Sequence, residues 1–119
     1  MTFDTFRSYC LAKPHTDESM PFDNQTLVFK VAGKMFALAS TDSLPLSVNL
    51  KCKPELALDL RERYESARPG YHMNKKHWNT VVMNGEIPTR EIRQMIDHSY
   101  DLVVSGLPQK VRKELFPPQ

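Results

Sequence analysis

The clearest alternation of apolar and polar positions lies between residues 27 and 38. Leu27-Val28-Phe29-Lys30-Val31 and Lys34-Met35-Phe36-Ala37-Leu38 are β-rich runs joined by Ala32-Gly33, a two-residue link of the kind that closes a hairpin. With that turn, Phe29 faces Phe36 and Leu27 faces Leu38, giving one apolar face, while Lys30 falls on the other with Val28, Met35 and Ala37. A further strand follows the Thr41-Asp42-Ser43 loop, where Leu46, Val48 and Leu50 alternate with Ser47, Asn49 and Lys51. Upstream, Phe3, Phe6 and Cys10 recur at helical spacing between Thr2, a capping residue, and Pro14, which stops the helix. The polar stretch His15–Ser19 reads as a connection, and Met20-Pro21-Phe22 as no more than an edge strand.

In the second half, Pro54 opens a helix with Leu56, Leu60 and Tyr64 on one stripe and Ala57 and Ala67 adjoining, ended by Pro69-Gly70. The run from Trp78 to Met83 reads as a strand closed by Asn84-Gly85. After Pro88-Thr89, Ile92, Met95, Ile96, Ser99 and Val103 share one face of a long helix, with Tyr100 at its margin and Gly106 as C-cap. A short helix from Pro108 to Phe116 follows. No βαβ unit interrupts this order. It predicts an α+β fold: two layers, an antiparallel β-sheet with helices packed on one face, as a single domain over residues 1–119.

Composition narrows the chemistry. The 119 residues carry 16 Lys+Arg against 14 Asp+Glu, and 40% hydrophobic with 25% charged content is that of an ordinary globular domain. Cys10 and Cys52 are isolated in sequence, too few for a thiolate zinc framework, and read as buried free thiols with a single disulfide as the alternative. No signal-like apolar run and no stretch of 18 apolar residues occurs, so a cytoplasmic protein without a membrane partner is expected. Phosphate-loop, nucleophile-elbow, zincin and dinucleotide motifs are all missing, so no catalytic residue, cofactor or metal is expected. His72 and His77, five apart, share a face on neither a helix nor a strand. His15 and His98 read as surface histidines, and Asp97 with Asp101 as a solvated helix face.

Charge is distributed unevenly. From Ser66 to Gly85 there is no acidic residue, yet the stretch holds Arg68, His72, Lys75, Lys76, His77 and Trp78, and Lys51 and Lys53 precede the intervening helix. Such a concentration of positive potential is what a phosphate backbone seeks. The competing account is a solvated lysine turn with Trp78 in the core.

The segment Pro69-Gly70-Tyr71-His72-Met73-Asn74-Lys75-Lys76-His77-Trp78-Asn79-Thr80-Val81 resembles the YjbR/MmcQ family of small bacterial proteins. Val28–Val31, Gly33–Ala37, Leu50-Lys51-Cys52 before Pro54, and Ile96–Val103 match the same family. The resemblance implies a two-layer α/β fold similar to type III secretion chaperones, described as a double wing by analogy with phage transcription factors. It also implies DNA binding, a label that itself rests on fold analogy. With DNA as partner, Lys51, Arg68, Lys75 and Lys76 are the expected phosphate contacts, His72, His77 and Trp78 support the surface, and Lys30 and Lys34 are wing contacts. The alternative is a non-enzymatic protein-interaction module of the chaperone type, taking up a protein partner or forming a homodimer.

Overall fold

A computed structural model describes residues 1–118. Helix α1 (Phe3–Leu11) leads into β1 (Thr16–Ser19), the hairpin β2 (Thr26–Val31) and β3 (Lys34–Ser40), and β4 (Ser47–Lys51). Helix α2 (Pro54–Arg63), β5 (Ala67–Pro69), β6 (Trp78–Val82), α3 (Thr89–Ser105) and α4 (Gln109–Leu115) complete the chain. The strands form one antiparallel sheet in the order β1-β2-β3-β4-β6-β5. The expected α+β architecture is thus the observed one.

The helices bury one face of that sheet. Phe6 and Cys10 of α1, Ala57 and Leu60 of α2, and Ile92, Met95, Ile96 and Val103 of α3 meet Leu27, Phe29, Val31, Phe36, Val48, Leu50 and Val81 in the main core. Edge-to-face rings link the layers, Phe6 on Phe29 at 5.9 Å and Phe36 on Tyr100 at 5.2 Å. Both cysteines are free and buried. Burial pushes the Cys10 thiol up to about 12 and the Cys52 thiol up to about 11, which removes either as a reactive thiolate at neutral pH.

The hairpin closes at Ala32-Gly33 with positive φ at both residues (51° and 79°), the twist a two-residue hairpin needs. The expected Phe29–Phe36 and Leu27–Leu38 pairing does not persist. A bulge shifts the register, so Phe29 pairs with Ala37 and Val28 with Leu38. Phe36 and Ala37 both enter the main core, and Leu38 joins Val28 and Trp78 on the opposite face. Ser99 stabilises the irregularity: its buried hydroxyl donates to the Phe36 carbonyl at 2.5 Å and accepts from the Lys51 N–H at 2.9 Å.

Two boundaries and one side-chain environment differ from the sequence reading. Helix α2 stops at Arg63 rather than at Pro69, because the Glu86 carboxylate accepts the Ser66 N–H (2.8 Å), the Ser66 hydroxyl (2.6 Å) and the Glu65 N–H (3.3 Å) and draws the chain into β5. These bonds from Ser66 hold the Glu86 carboxyl below its ordinary pKa. The edge strand is Thr16–Ser19, not Met20–Phe22; its all-polar sequence hides a ladder with β2 and a bidentate ion pair from Arg7 to Glu18. Asp97 is not a freely solvated carboxylate but binds Lys13 and the Tyr9 hydroxyl (2.7 Å), a bond that pushes Tyr9 up to about 12.

Candidate nucleic-acid interface

Strand parity decides which side chains leave the helix layer. Val48 and Leu50 point into the main core, so Asn49 and Lys51 point out; Asn79 and Val81 are buried on the helix side, so Trp78 and Thr80 point out. Pairing of Lys51 with Trp78 and of Arg68 with Thr80 places both cations on this outer face. Lys30, between the inward residues Phe29 and Val31, joins them.

The segment 70–77 bends back over the same face and is closed by its own hydrogen bonds. Gly70 N–H donates to the Trp78 carbonyl (2.9 Å), Met73 N–H to the Gly70 carbonyl (2.9 Å), and Trp78 N–H to the Asn74 carbonyl (2.9 Å). The Asn74 side chain accepts from Lys76 N–H at 2.9 Å, and the His77 carbonyl accepts from Cys52 N–H at 2.7 Å. Met73 packs against Val28, Leu38 and Trp78, so the loop is nailed to the sheet by an apolar contact. Trp78 is only 8% exposed and supports this surface from within. A Cβ on Gly70 would lie 3.0 Å from both Cβ and carbonyl oxygen of Trp78. Gly70→Ala is therefore expected to destabilise the fold by about 1–2 kcal/mol through overpacking, measurable by urea unfolding, whereas an unchanged midpoint would show that the loop gives way freely.

Arg61 of α2 braces the loop from beneath. Its guanidinium donates through Nε to the buried Asn79 Oδ1 (2.6 Å) and through Nη2 to the carbonyls of Lys75 and Trp78 (3.2 Å for the latter). The planar fork reaches all three acceptors at once, which a lysine cannot do.

The expected site residues fall as follows. Lys75, Lys76 and His72 are exposed on the loop, Arg68 is exposed on β5, and Lys51 and His77 are half-buried at its base. Lys75 Nζ sits 5.0 Å above the Tyr71 ring. Among the described residues, none of Lys51, Arg68, Lys75 and Lys76 has a carboxylate within ion-pair distance. The acids of this face, Asp17 opposite Lys30 and Asp23 before β2, lie towards the β1–β2 edge. No cluster of three or more His, Cys, Asp or Glu side chains suited to a metal occurs among the described residues, so His72 and His77 gain no further ligands. His98 is not a plain surface histidine: it is half-buried and accepts the Lys53 N–H at 3.2 Å, and burial followed by the nearby Lys53 charge lowers its pKa.

Sequence reasoning missed Arg61, Phe22, Asn49 and Met73. Arg61 precedes the motif on a charged helix and Phe22 lies far from it in sequence; folding alone brings them to the 70–77 loop.

The geometry has a close counterpart in known proteins. The YjbR family model matches residues 11–102. The chain belongs to the YjbR family. It is 37% identical over 115 residues to YjbR of Escherichia coli K12, covering 97% of this chain and 98% of that protein. It is 38% identical to YbdF of Escherichia coli O157:H7, covering 96% and 93%. A Deinococcus radiodurans crystal structure of a DUF419 domain superposes with TM-score 0.92 at 42% identity, covering 98% of this chain and 89% of that one. A Pseudomonas syringae crystal structure gives TM-score 0.74 at 31% identity, covering 86% and 98%. These Escherichia coli YjbR-family relatives are described as uncharacterised proteins and none carries an enzymatic name. Shared ancestry therefore accounts for the fold and leaves the activity to be argued from the site.

Proposed function

We propose that this YjbR-family protein is a non-enzymatic, cytoplasmic DNA-binding protein whose contact surface is the outer sheet face and the 70–77 loop. The observation that carries this reading is that Lys51 and Arg68 on the outer sheet face and Lys75 and Lys76 on the adjoining 70–77 loop have no carboxylate partner among the described residues, and that the loop is held by its own hydrogen bonds and the Arg61 brace. Cations left unpaired on a firm scaffold neutralise phosphates without first breaking internal ion pairs. A chaperone-type protein-interaction module, binding a protein partner or a second copy, is the second reading. Phe22, 65% exposed, and the apolar groove beside it favour that reading.

Retardation of a mixed-sequence DNA oligonucleotide, offered both as single strand and as duplex at low salt, tests the proposal. Log affinity for duplex is expected to fall with log salt by about 0.9 per phosphate contact, or about 0.7 on a single strand. Lys75→Glu combined with Lys76→Glu is expected to remove about two units of that slope and to abolish retardation near physiological salt. Failure to retard either form, or an unchanged slope in the double variant, overturns the proposal.

A further inference from the structure

The 70–77 loop leaves part of the outer face open. Between it and the segment preceding β2 lies a groove of about 400 Å3, within the range of roughly 300–1,000 Å3 of small-molecule clefts. Met35, Leu38 and Met73 form its apolar surface, the Phe22 ring lines it, and Asn49 and His72 add polar groups. Asn49 Oδ1 already accepts the Thr80 hydroxyl at 2.6 Å, which leaves its NH2 to donate. Beyond His72, Tyr71 is 64% exposed, with Lys75 over its ring.

The chemistry of this groove discriminates between forms of DNA. A duplex keeps its bases stacked inside and presents phosphates and groove edges, so it has nothing flat and apolar to place among Met35, Leu38 and Phe22. A single strand carries unstacked bases on an anionic backbone, and its recognition by aromatic and apolar platforms beside cationic tracks is general. Here Lys75 lies over the Tyr71 ring next to His72, which lines the groove, and Arg68 shares the outer face in the row of Asn49 and Thr80, so cations without a carboxylate partner among the described residues accompany the rings, while Asp23, also lining the groove, keeps phosphate out of it.

We infer that the ligand of this face is single-stranded DNA, with one base inserted into the Phe22–Met73 groove against Asn49 and its neighbour stacked on Tyr71. This rests on the DNA-binding reading and specifies its substrate class.

Fluorescence anisotropy with a labelled mixed-sequence single strand and the matching duplex, at one salt concentration, tests it. The single strand is expected to bind about tenfold tighter than the duplex; Phe22→Ser, at an exposed position outside the 70–77 loop, is expected to weaken single-strand binding about tenfold while leaving duplex binding unchanged, and Tyr71→Ser to weaken single-strand binding about tenfold. Insertion is also expected to change the emission of Trp78, the chain's one tryptophan, which packs on Met73 beneath the groove. Duplex binding as tight as single-strand binding overturns this inference while the DNA-binding reading survives. Single-strand binding unmoved by Phe22→Ser also overturns it. No binding of either form removes both readings.

Discussion

Ser99→Ala is expected to lower the stability of the fold by about 3 kcal/mol and the melting temperature by about 10 °C. The hydroxyl is fully buried and bonds two backbone groups of different strands, the Phe36 carbonyl at 2.5 Å and the Lys51 N–H at 2.9 Å. The β3–β4 ladder runs from Ala37↔Leu50 to Ala39↔Val48, so neither group has a partner across the ladder. Alanine would leave both unsatisfied next to the core, and each orphaned group costs about 1–3 kcal/mol. Thermal denaturation measures the loss. Amide exchange at Lys51 is expected to accelerate selectively, because its acceptor is gone. A destabilisation below about 1 kcal/mol would show that the strands close over the gap and that the hydroxyl is dispensable.

Arg61→Ala is expected to cost about 2–3 kcal/mol and to open the 70–77 loop. Its guanidinium satisfies the Oδ1 of Asn79, a residue 1% exposed, the carbonyl of Lys75 in the loop and the carbonyl of Trp78 at the start of β6. Removing it orphans the buried amide oxygen; the Trp78 carbonyl keeps the Gly70 N–H and the Lys75 carbonyl reaches water. Trypsin cleavage after Lys75 and Lys76 is expected to become faster than in the native protein at temperatures well below melting. Arg61→Lys is expected to restore less than half the lost stability, since one ammonium cannot reach all three acceptors. Native-like melting and native-like cleavage in Arg61→Ala would remove the brace from the account of the site.

The two substitutions also divide the molecule by function. Ser99 acts on the junction of helix layer and sheet, and its effect reaches the face only through Lys51. Arg61 acts on the loop directly, so on the proposed DNA-binding reading affinity is expected to suffer more in Arg61→Ala than in Ser99→Ala at equal loss of stability.

Local chemistry alone determined much of this protein. The Ala32-Gly33 hairpin, the alternation of Val48 and Leu50, the buried stripe of Ile92, Met95, Ile96, Ser99 and Val103, and the Pro69–Val81 motif were all legible, because turn dihedrals and side-chain periodicity depend on neighbours in sequence. The acid-free run of Arg68, Lys75 and Lys76 was legible for the same reason: charge adds along the chain whatever the fold. Tertiary structure decided the rest. Ser99 holds the bulge that sends Leu38 to the outer face, Glu86 ends α2 early and creates β5, and Arg61 ties a helix to a loop more than ten residues away. Each is a hydrogen bond from a side chain to backbone remote in sequence. No periodicity or propensity encodes such a bond, since it exists only once the layers have packed and the groups it satisfies have lost their water.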